Sequence, residues 1–461
     1  MAHSTGGRLA PGPRGKPVVG NGPGFASDII NTLMSGWRDH GDVVRFVGLG
    51  PLFPVYLLAN PDDINLALQK RHKIYPKTPF VSDKWRMMVG EGLICSEGDF
   101  WRSQRRLIQP AFHRDLVGAL AEGMVTATTE LLDQWAPHAR SGHPIDMAPE
   151  MVHHALAVLA QACYSADWKR EAEVMGPAVE VAIGHAYELM GKIVAPPEWV
   201  PTPANRRFAR ARDTLDGIIY RLITERRRSI ERGEPQPQDL LGLLMAAQDE
   251  DTGARMGDEQ VRNEVMTFMF GGHETVASGL AWSLYLLSRH PVAQQRMKAE
   301  IDQVLGGRSP TLADLDRLEY GSRLVQESLR LYPPVWLISR TPIEDDEVRG
   351  YHIPGGSMVL LSAYVAHRHP DFWDNPEGFD PDRFLPERAE SRPRHAWIPF
   401  SGGPRKCIGD YFGKMEMQIV LTMILQRYRL DLVPGHAVIP KPGITLGFKK
   451  GLLMTVHDRE S

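Results

Sequence analysis

The sequence predicts a mainly α-helical protein with a smaller share of sheet. Three observations carry this: apolar residues recur at helical spacing through most of 115–331, Gly and Pro interrupt that stretch at helix-length intervals, and the strand-like runs are short and gather at 42–59 and after 335. A chain of 461 residues with 43% hydrophobic content can bury a large core. With 53 Lys+Arg against 56 Asp+Glu, the formal charge of -3 argues against nucleic acid, anionic membranes and polyanionic substrates. Cys95, Cys163 and Cys407 are too few and scattered for a disulfide framework, and no Cys-x-x-Cys pair points to zinc, so a reducing cytoplasm is expected.

Residues 1–24 are a flexible Pro/Gly-rich lead-in without the apolar core of a signal peptide or membrane anchor; 25–461 are expected to form a single domain. A helix over 26–40 precedes strands at 42–47 and 55–59, joined by a turn across 48–54. Residues 80–93 show no clear period but hold Trp85, Met87 and Met88, which suits either a loop over an apolar ligand or ordinary core under a loop. Residues 99–112 turn helical, with Trp101 and Arg105 four apart on one face. Helices are then expected through 115–192, 204–231, 239–248, 258–290, 291–305 and 315–331. The run from Arg226 to Arg228 reads as a solvated helix face. Strands at 335–340, 351–354 and 358–363, a turn-rich stretch over 368–394, an amphipathic helix at 410–427 and a strand at 429–433 complete the chain.

Three features carry chemistry. Cys407 stands in a Gly-rich loop ahead of a helix, with Arg405 beside it; a thiolate there suits a soft metal, although an isolated cysteine is more often buried and inert. Gly271 and Gly272 interrupt the longest apolar helix, at a cost of about 1 kcal/mol each relative to Ala, and are followed by Glu274 and Thr275. They mark either a packing notch or room for a flat ligand, with an acid and an alcohol at a local kink. Glu327 and Arg330 share a helix face, and Arg383 downstream offers that carboxylate a second partner.

Together these residues resemble the cytochrome P450 family, the haem-thiolate monooxygenases. Phe400, Gly403, Arg405, Cys407 and Gly409 match its cysteine signature at every fixed position. Glu327 with Arg330 matches its Glu-x-x-Arg, Arg383 its Pro-x-Arg-Phe segment, Gly271 to Thr275 its acid–alcohol segment, and Trp101 with Arg105 its Trp-x-x-x-Arg. The resemblance covers nearly the whole chain and implies the cytochrome P450 fold, a large helical domain with a smaller β-rich lobe, holding haem b (iron protoporphyrin IX) between the long helix and the Cys407 loop. It implies Cys407 as the metal ligand, Glu274 and Thr275 in proton delivery, Gly271 as clearance beside the haem, and Trp101, Arg105, Arg340 and Arg405 on its propionates. Phe400 and Gly409 complete the cofactor set, and Glu327, Arg330 and Arg383 are structural.

By the family's layout, the substrate meets Trp85, Met87, Met88, Met266, Phe270, Val335, Trp336, Ile338, Thr445 and Leu446, an apolar set suited to a terpenoid, fatty acyl or polyketide-like molecule. The implied reaction inserts one atom of O2 in secondary metabolism, with electrons from a separate ferredoxin or flavodoxin and its reductase. Arg106, Arg114, Lys406 and Lys414 are candidates for a basic docking face. Oxidative coupling or rearrangement on the same cofactor, and a non-haem helical binding protein, are the competing readings.

Overall fold

The computed structural model describes residues 7–48, 54–164, 168–190, 196–237, 239–248, 253 and 255–459. Most of the turn expected over 48–54 lies outside these residues, as does the side chain of Cys163. In chain order the first elements are α1 (Gly22–His40), β1 (Val43–Val47), β2 (Pro54–Leu58) and α2 (Pro61–Asn65). They are followed by α3 (Pro79–Val89), α4 (Gly98–Ile108), α5 (Arg114–Gly118), α6 (Ala121–Ser141) and β3 (Ile145–Asp146). The long helices come next: α7 (Met147–Tyr164), α8 (Trp168–Met190), α9 (Pro203–Glu231), α10 (Leu240–Ala246), α11 (Asp258–Arg289) and α12 (Pro291–Leu305). After α13 (Leu312–Leu315) and α14 (Glu319–Leu331) the chain makes β4 (Ile338–Arg340), β5 (Asp346–Val348), β6 (Tyr351–Ile353), β7 (Met358–Leu361), α15 (Ala363–Ala366) and α16 (Pro386–Ala389). It closes with α17 (Asp410–Arg427), β8 (Tyr428–Leu432), β9 (Pro440–Pro442), β10 (Leu446–Phe448) and β11 (Leu453–Asp458).

These elements gather into two compact units, each discontinuous in sequence. The first comprises 1–81, 326–407 and 442–446. Its sheet runs in the order β1-β2-β7-β4, with β2 parallel to β7 and the outer pairs antiparallel. One face buries Val43, Tyr56, Leu58, Val359 and Leu361 against Ile64 and Tyr75. From Arg8 onward the lead-in is tied down rather than loose: the Arg8 amide donates to the Gly350 carbonyl, the Arg8 carbonyl accepts from the His352 amide, and the Arg45 amide donates to the Pro11 carbonyl. α1 begins earlier than expected, at Gly22, because Pro23 fits a helix's first turn.

The second unit comprises 82–325, 408–441 and 447–461 and is a helical bundle with the small sheet β3-β11-β8. α11 packs chiefly on α7, α9 and α17, while α8 packs on α9 and α7. Nearly every residue of α11 from Val261 to Phe270 is buried, as its all-round apolar sequence requires. α17 keeps its expected bounds but is not amphipathic, since residues from Phe412 to Leu425 are buried around its circumference.

Several local expectations need correction. Residues 80–93 are not a loop: α3 spans most of them, short enough that Trp85, Met88 and Val89 at helical spacing were masked by polar neighbours. The expected helix over 315–331 is split, because Thr311 and Asp314 form a capping box that starts α13 separately. Arg226 is not solvated. It makes a buried two-point ion pair with Asp239 (2.8 and 2.6 Å), while Asp239 also caps α10 through the Gly242 amide. No helix of the described residues is long and apolar enough to cross a membrane.

Glu416 is an acid buried inside α17, with no hydrogen-bond partner for Oε1, and burial pushes its carboxyl well above the usual range. A raised folded pKa means that the stability linked to this group is whole below the unfolded value and is lost as pH rises toward the folded one. Glu416→Gln is therefore expected to match the parent near pH 4, below the unfolded carboxyl's value, and to be more stable at pH 8, by about 1.4 kcal/mol per pH unit between the two pKa values. Urea midpoints at both pH values check this; an equal offset at both would count against a neutral buried acid.

Candidate functional site

In the first unit, the Cys407 loop hangs on a buried charge cluster. Arg330 donates to Glu327 through Nε (2.7 Å) and Nη2 (2.8 Å), and Arg383 reaches the same carboxylate at 3.3 Å. Glu327 and Arg330 are both 0% exposed, so this is no surface pair. Arg330 also donates to the carbonyls of His367, Pro376 and Gly378, and Arg383 to those of Asp374 and Asn375. The irregular stretch ahead of the cysteine thus has its buried carbonyls satisfied by two guanidiniums rather than by regular structure.

The link from this cluster to the cysteine is His367, which sequence reasoning missed. Its Nδ1 bonds the Arg330 carbonyl (3.0 Å) and its Nε2 accepts from the Ile398 amide (2.8 Å), which requires a neutral ring protonated on Nδ1. Burial drives its pKa down to about 3, in agreement with that tautomer. Two residues beyond Ile398, Phe400 accepts from the Cys407 amide at 2.9 Å and closes the loop. Ser401 (φ 60) and Gly403 (φ 67) hold left-handed backbone between them. At Gly403 a Cβ would fall 1.9 Å from the Leu68 carbonyl oxygen, so only glycine fits. Arg405 ends the short turn that begins at Gly403, Cys407 is exposed, and Arg340 is buried at the end of β4.

In the second unit, α11 carries Glu274 and Thr275 in unbroken helix; the kink expected there is absent. Thr275 donates its hydroxyl to the Gly271 carbonyl at 2.7 Å, back along the helix. Glu274 accepts from the Tyr187 hydroxyl at 2.5 Å. The two glycines differ. A Cβ on Gly272 would lie 3.2 Å from Leu159 of α7, whereas one on Gly271 would meet nothing within 4 Å. Gly272 is thus the packing notch and Gly271 the open side. Trp101, buried, and Arg105, half-buried, share a face of α4, and Gly409 stands at the start of α17.

The apolar residues expected around the substrate fall in two sets. Met88, Met266 and Phe270 are buried in the second unit, with Trp85 and Met87 half-buried on α3. In the first unit, Val335 and Ile338 are half-buried, and Trp336, Thr445 and Leu446 are buried. Trp336 also works as a clasp: its indole donates to the Gly443 carbonyl at 2.9 Å and its own carbonyl accepts from Ser362. Of the expected basic face, Arg114 is paired at two points with Asp316, which offsets its charge.

Comparison with known proteins agrees with this geometry. The family model for cytochrome P450 matches residues 10–454. Cyclooctatin synthase of Streptomyces melanosporofaciens is 39% identical over 95% of this chain and 93% of that protein. Cyclooctat-9-en-7-ol 5-monooxygenase of the same organism is 35% identical over 91% of each. The crystal structure of the cytochrome P450DA heme domain superposes with a TM-score of 0.89, at 26% identity over 98% of both chains. The chain belongs to the cytochrome P450 family, whose members are haem-dependent monooxygenases using O2 and electrons from a redox partner. The residues present fit that cofactor: Cys407 offers a soft donor on a loop held open by glycine, and a side chain added at Gly271 would meet no protein atom.

Removing the negative charge at Glu327 leaves two buried guanidiniums uncompensated. Glu327→Gln is expected to cost about 3–5 kcal/mol and to lower haem content per chain, read from the denaturation midpoint and the ratio of haem to protein absorbance. A variant with unchanged midpoint and full haem content would show that the cluster does not support the loop.

Proposed function

We propose that this enzyme inserts one oxygen atom from O2 into a lipophilic, terpenoid-like substrate in secondary metabolism, with Cys407 as the proximal ligand of haem b. The observation that carries this reading is the acid–alcohol pair Glu274 and Thr275 on α11, beside a glycine whose missing side chain leaves open space. Haem bound through a thiolate supplies O2 activation, the sulfur pushing electron density that favours O–O cleavage. The chain's own residues do the rest. The Thr275 hydroxyl, held on the Gly271 carbonyl, can swing to donate a hydrogen bond on the open side, and Glu274 replenishes the proton. Trp101, Arg105, Arg340 and Arg405 supply indole and guanidinium donors for the propionates.

Support for the substrate class comes from the apolar side chains Met88, Met266, Phe270 and Leu446, none of which can pair with a charged metabolite. It comes also from a relative whose name declares oxygenation of cyclooctat-9-en-7-ol at position 5. A ferredoxin or flavodoxin with its reductase delivers the electrons, in the cytoplasm.

Thr275→Ala is expected to keep the carbonyl spectrum of a reduced thiolate-ligated haem while diverting most reducing equivalents into peroxide. Cys407→Ala is expected to abolish that spectrum. Unchanged coupling in the first variant would remove Thr275 from proton delivery, and an unchanged spectrum in the second would remove Cys407 as the ligand. Cyclic hydrocarbon alcohols, screened for displacement of the water ligand and then turned over with a surrogate redox chain, test both halves of the reading; hydroxylated products support it, failure of every such alcohol to bind overturns the substrate class, and coupled or rearranged products overturn oxygen insertion.

A further inference from the structure

The hydroxyl of Tyr187, near the C-terminal end of α8, donates to Glu274 Oε1 at 2.5 Å. This bond crosses between two helices that otherwise scarcely touch, since α8 packs on α9 and α7 and α11 packs on α7, α9 and α17. It is therefore not a by-product of close helix packing. The same end of α8 has a second polar tie: Lys84 of α3 donates its ammonium to the Leu189 carbonyl, at a helix terminus where a cation is favoured. On the same turn the side chains of Ala186 and Leu189 are buried, so the stretch carrying Tyr187 is anchored on its apolar side. α3, which bears Trp85, Met87 and Met88, is thus joined through the end of α8 to the acid on α11.

We infer that Tyr187 is a positioning residue for Glu274: its phenol holds one carboxylate oxygen and ties the acid to α8, so that a shift of α8 or α3 changes where the acid stands. A phenol donating to a carboxylate makes a short, charge-assisted bond, strong enough to select one side-chain rotamer. Substrate that displaces α3 or the end of α8 would then alter proton supply without touching Glu274. This inference rests on the role of Glu274 in proton delivery proposed above.

The test uses the haem-loaded enzyme and three variants, each first checked for an intact carbonyl spectrum. Tyr187→Phe removes only the hydroxyl. Glu274→Gln keeps an acceptor for it but removes the group that can take up and release a proton. Tyr187→Phe is expected to speed amide exchange over 183–190 by about tenfold, the fold-change that goes with losing one charge-assisted hydrogen bond. Exchange in α17 should not move. The Tyr187→Phe, Glu274→Gln double variant should exchange no faster than Tyr187→Phe alone. Tyr187→Phe should also lower the fraction of electrons reaching product and raise the solvent deuterium isotope effect on turnover. Glu274→Gln should lower coupling and, by replacing a charged acceptor with a neutral one, speed exchange in α8 less than Tyr187→Phe does.

Exchange over 183–190 unchanged in Tyr187→Phe overturns the tie itself. Faster exchange with coupling and isotope effect unchanged leaves a structural tie only and overturns the positioning role. Unchanged coupling in Glu274→Gln sinks the proton-delivery reading instead, an outcome distinguishable because the exchange measurement does not depend on turnover.

Discussion

One carboxylate facing two buried guanidiniums sets the conditions for much of the first unit. Ions taken out of water are costly unless every donor and acceptor finds a partner, and Glu327, Arg330 and Arg383 meet that demand by turning the carbonyls of residues 367, 374–376 and 378 toward themselves. The stretch that supplies those carbonyls has little regular structure of its own and would otherwise leave them unpaired. Charge cluster and irregular chain therefore stabilise each other. The result is passed on through the neutral ring of His367 to Ile398, and from there into a loop that glycine alone can complete. Arg392 reinforces the arrangement by stacking 3.9 Å over the Trp373 ring.

The second unit depends on a different economy. α11 is buried over much of its length, and although the buried Thr267 hydroxyl finds no partner among the described residues, other polar groups along it are answered. Glu264, 0% exposed, accepts from the Leu93 amide and from Gln260, and so anchors the turn between α3 and α4. His273 bonds the Met269 carbonyl, and Thr275 returns its hydroxyl to Gly271. Glu274 is answered from another helix altogether. The acid–alcohol pair thus has one member satisfied locally and one satisfied at a distance, which gives the two groups different freedom to move.

How much of this was legible in the sequence follows from the range of each interaction. The limits of α17, of α9 after the proline break, and the stop of α12 at Gly306 rest on signals within a few residues, and they read to within about one residue. The residues of the cysteine loop and of the Glu327 cluster stood out because their spacing resembles a known family. What stayed hidden depends on partners far apart in the chain. Arg226 looked like one of three solvated arginines until Asp239 folded back onto it. His367 and Tyr187 have no local signal, since each acts through a group 31 or 87 positions away. α3 was missed for a different reason, being too short for its few apolar positions to establish a period.

The unequal surroundings of Gly271 and Gly272 have a consequence for how this enzyme can diversify. Enlarging residue 272 presses on the end of the Leu159 side chain, which must give by a few tenths of an ångström, so that position is constrained by the seam between α7 and α11. Enlarging residue 271 meets no protein atom. Of two adjacent, chemically identical residues, one answers to the bundle and the other to what lies on its open side: a methyl group added at 271 leaves the seam between α7 and α11 untouched and is weighed only against the haem for which that clearance is proposed.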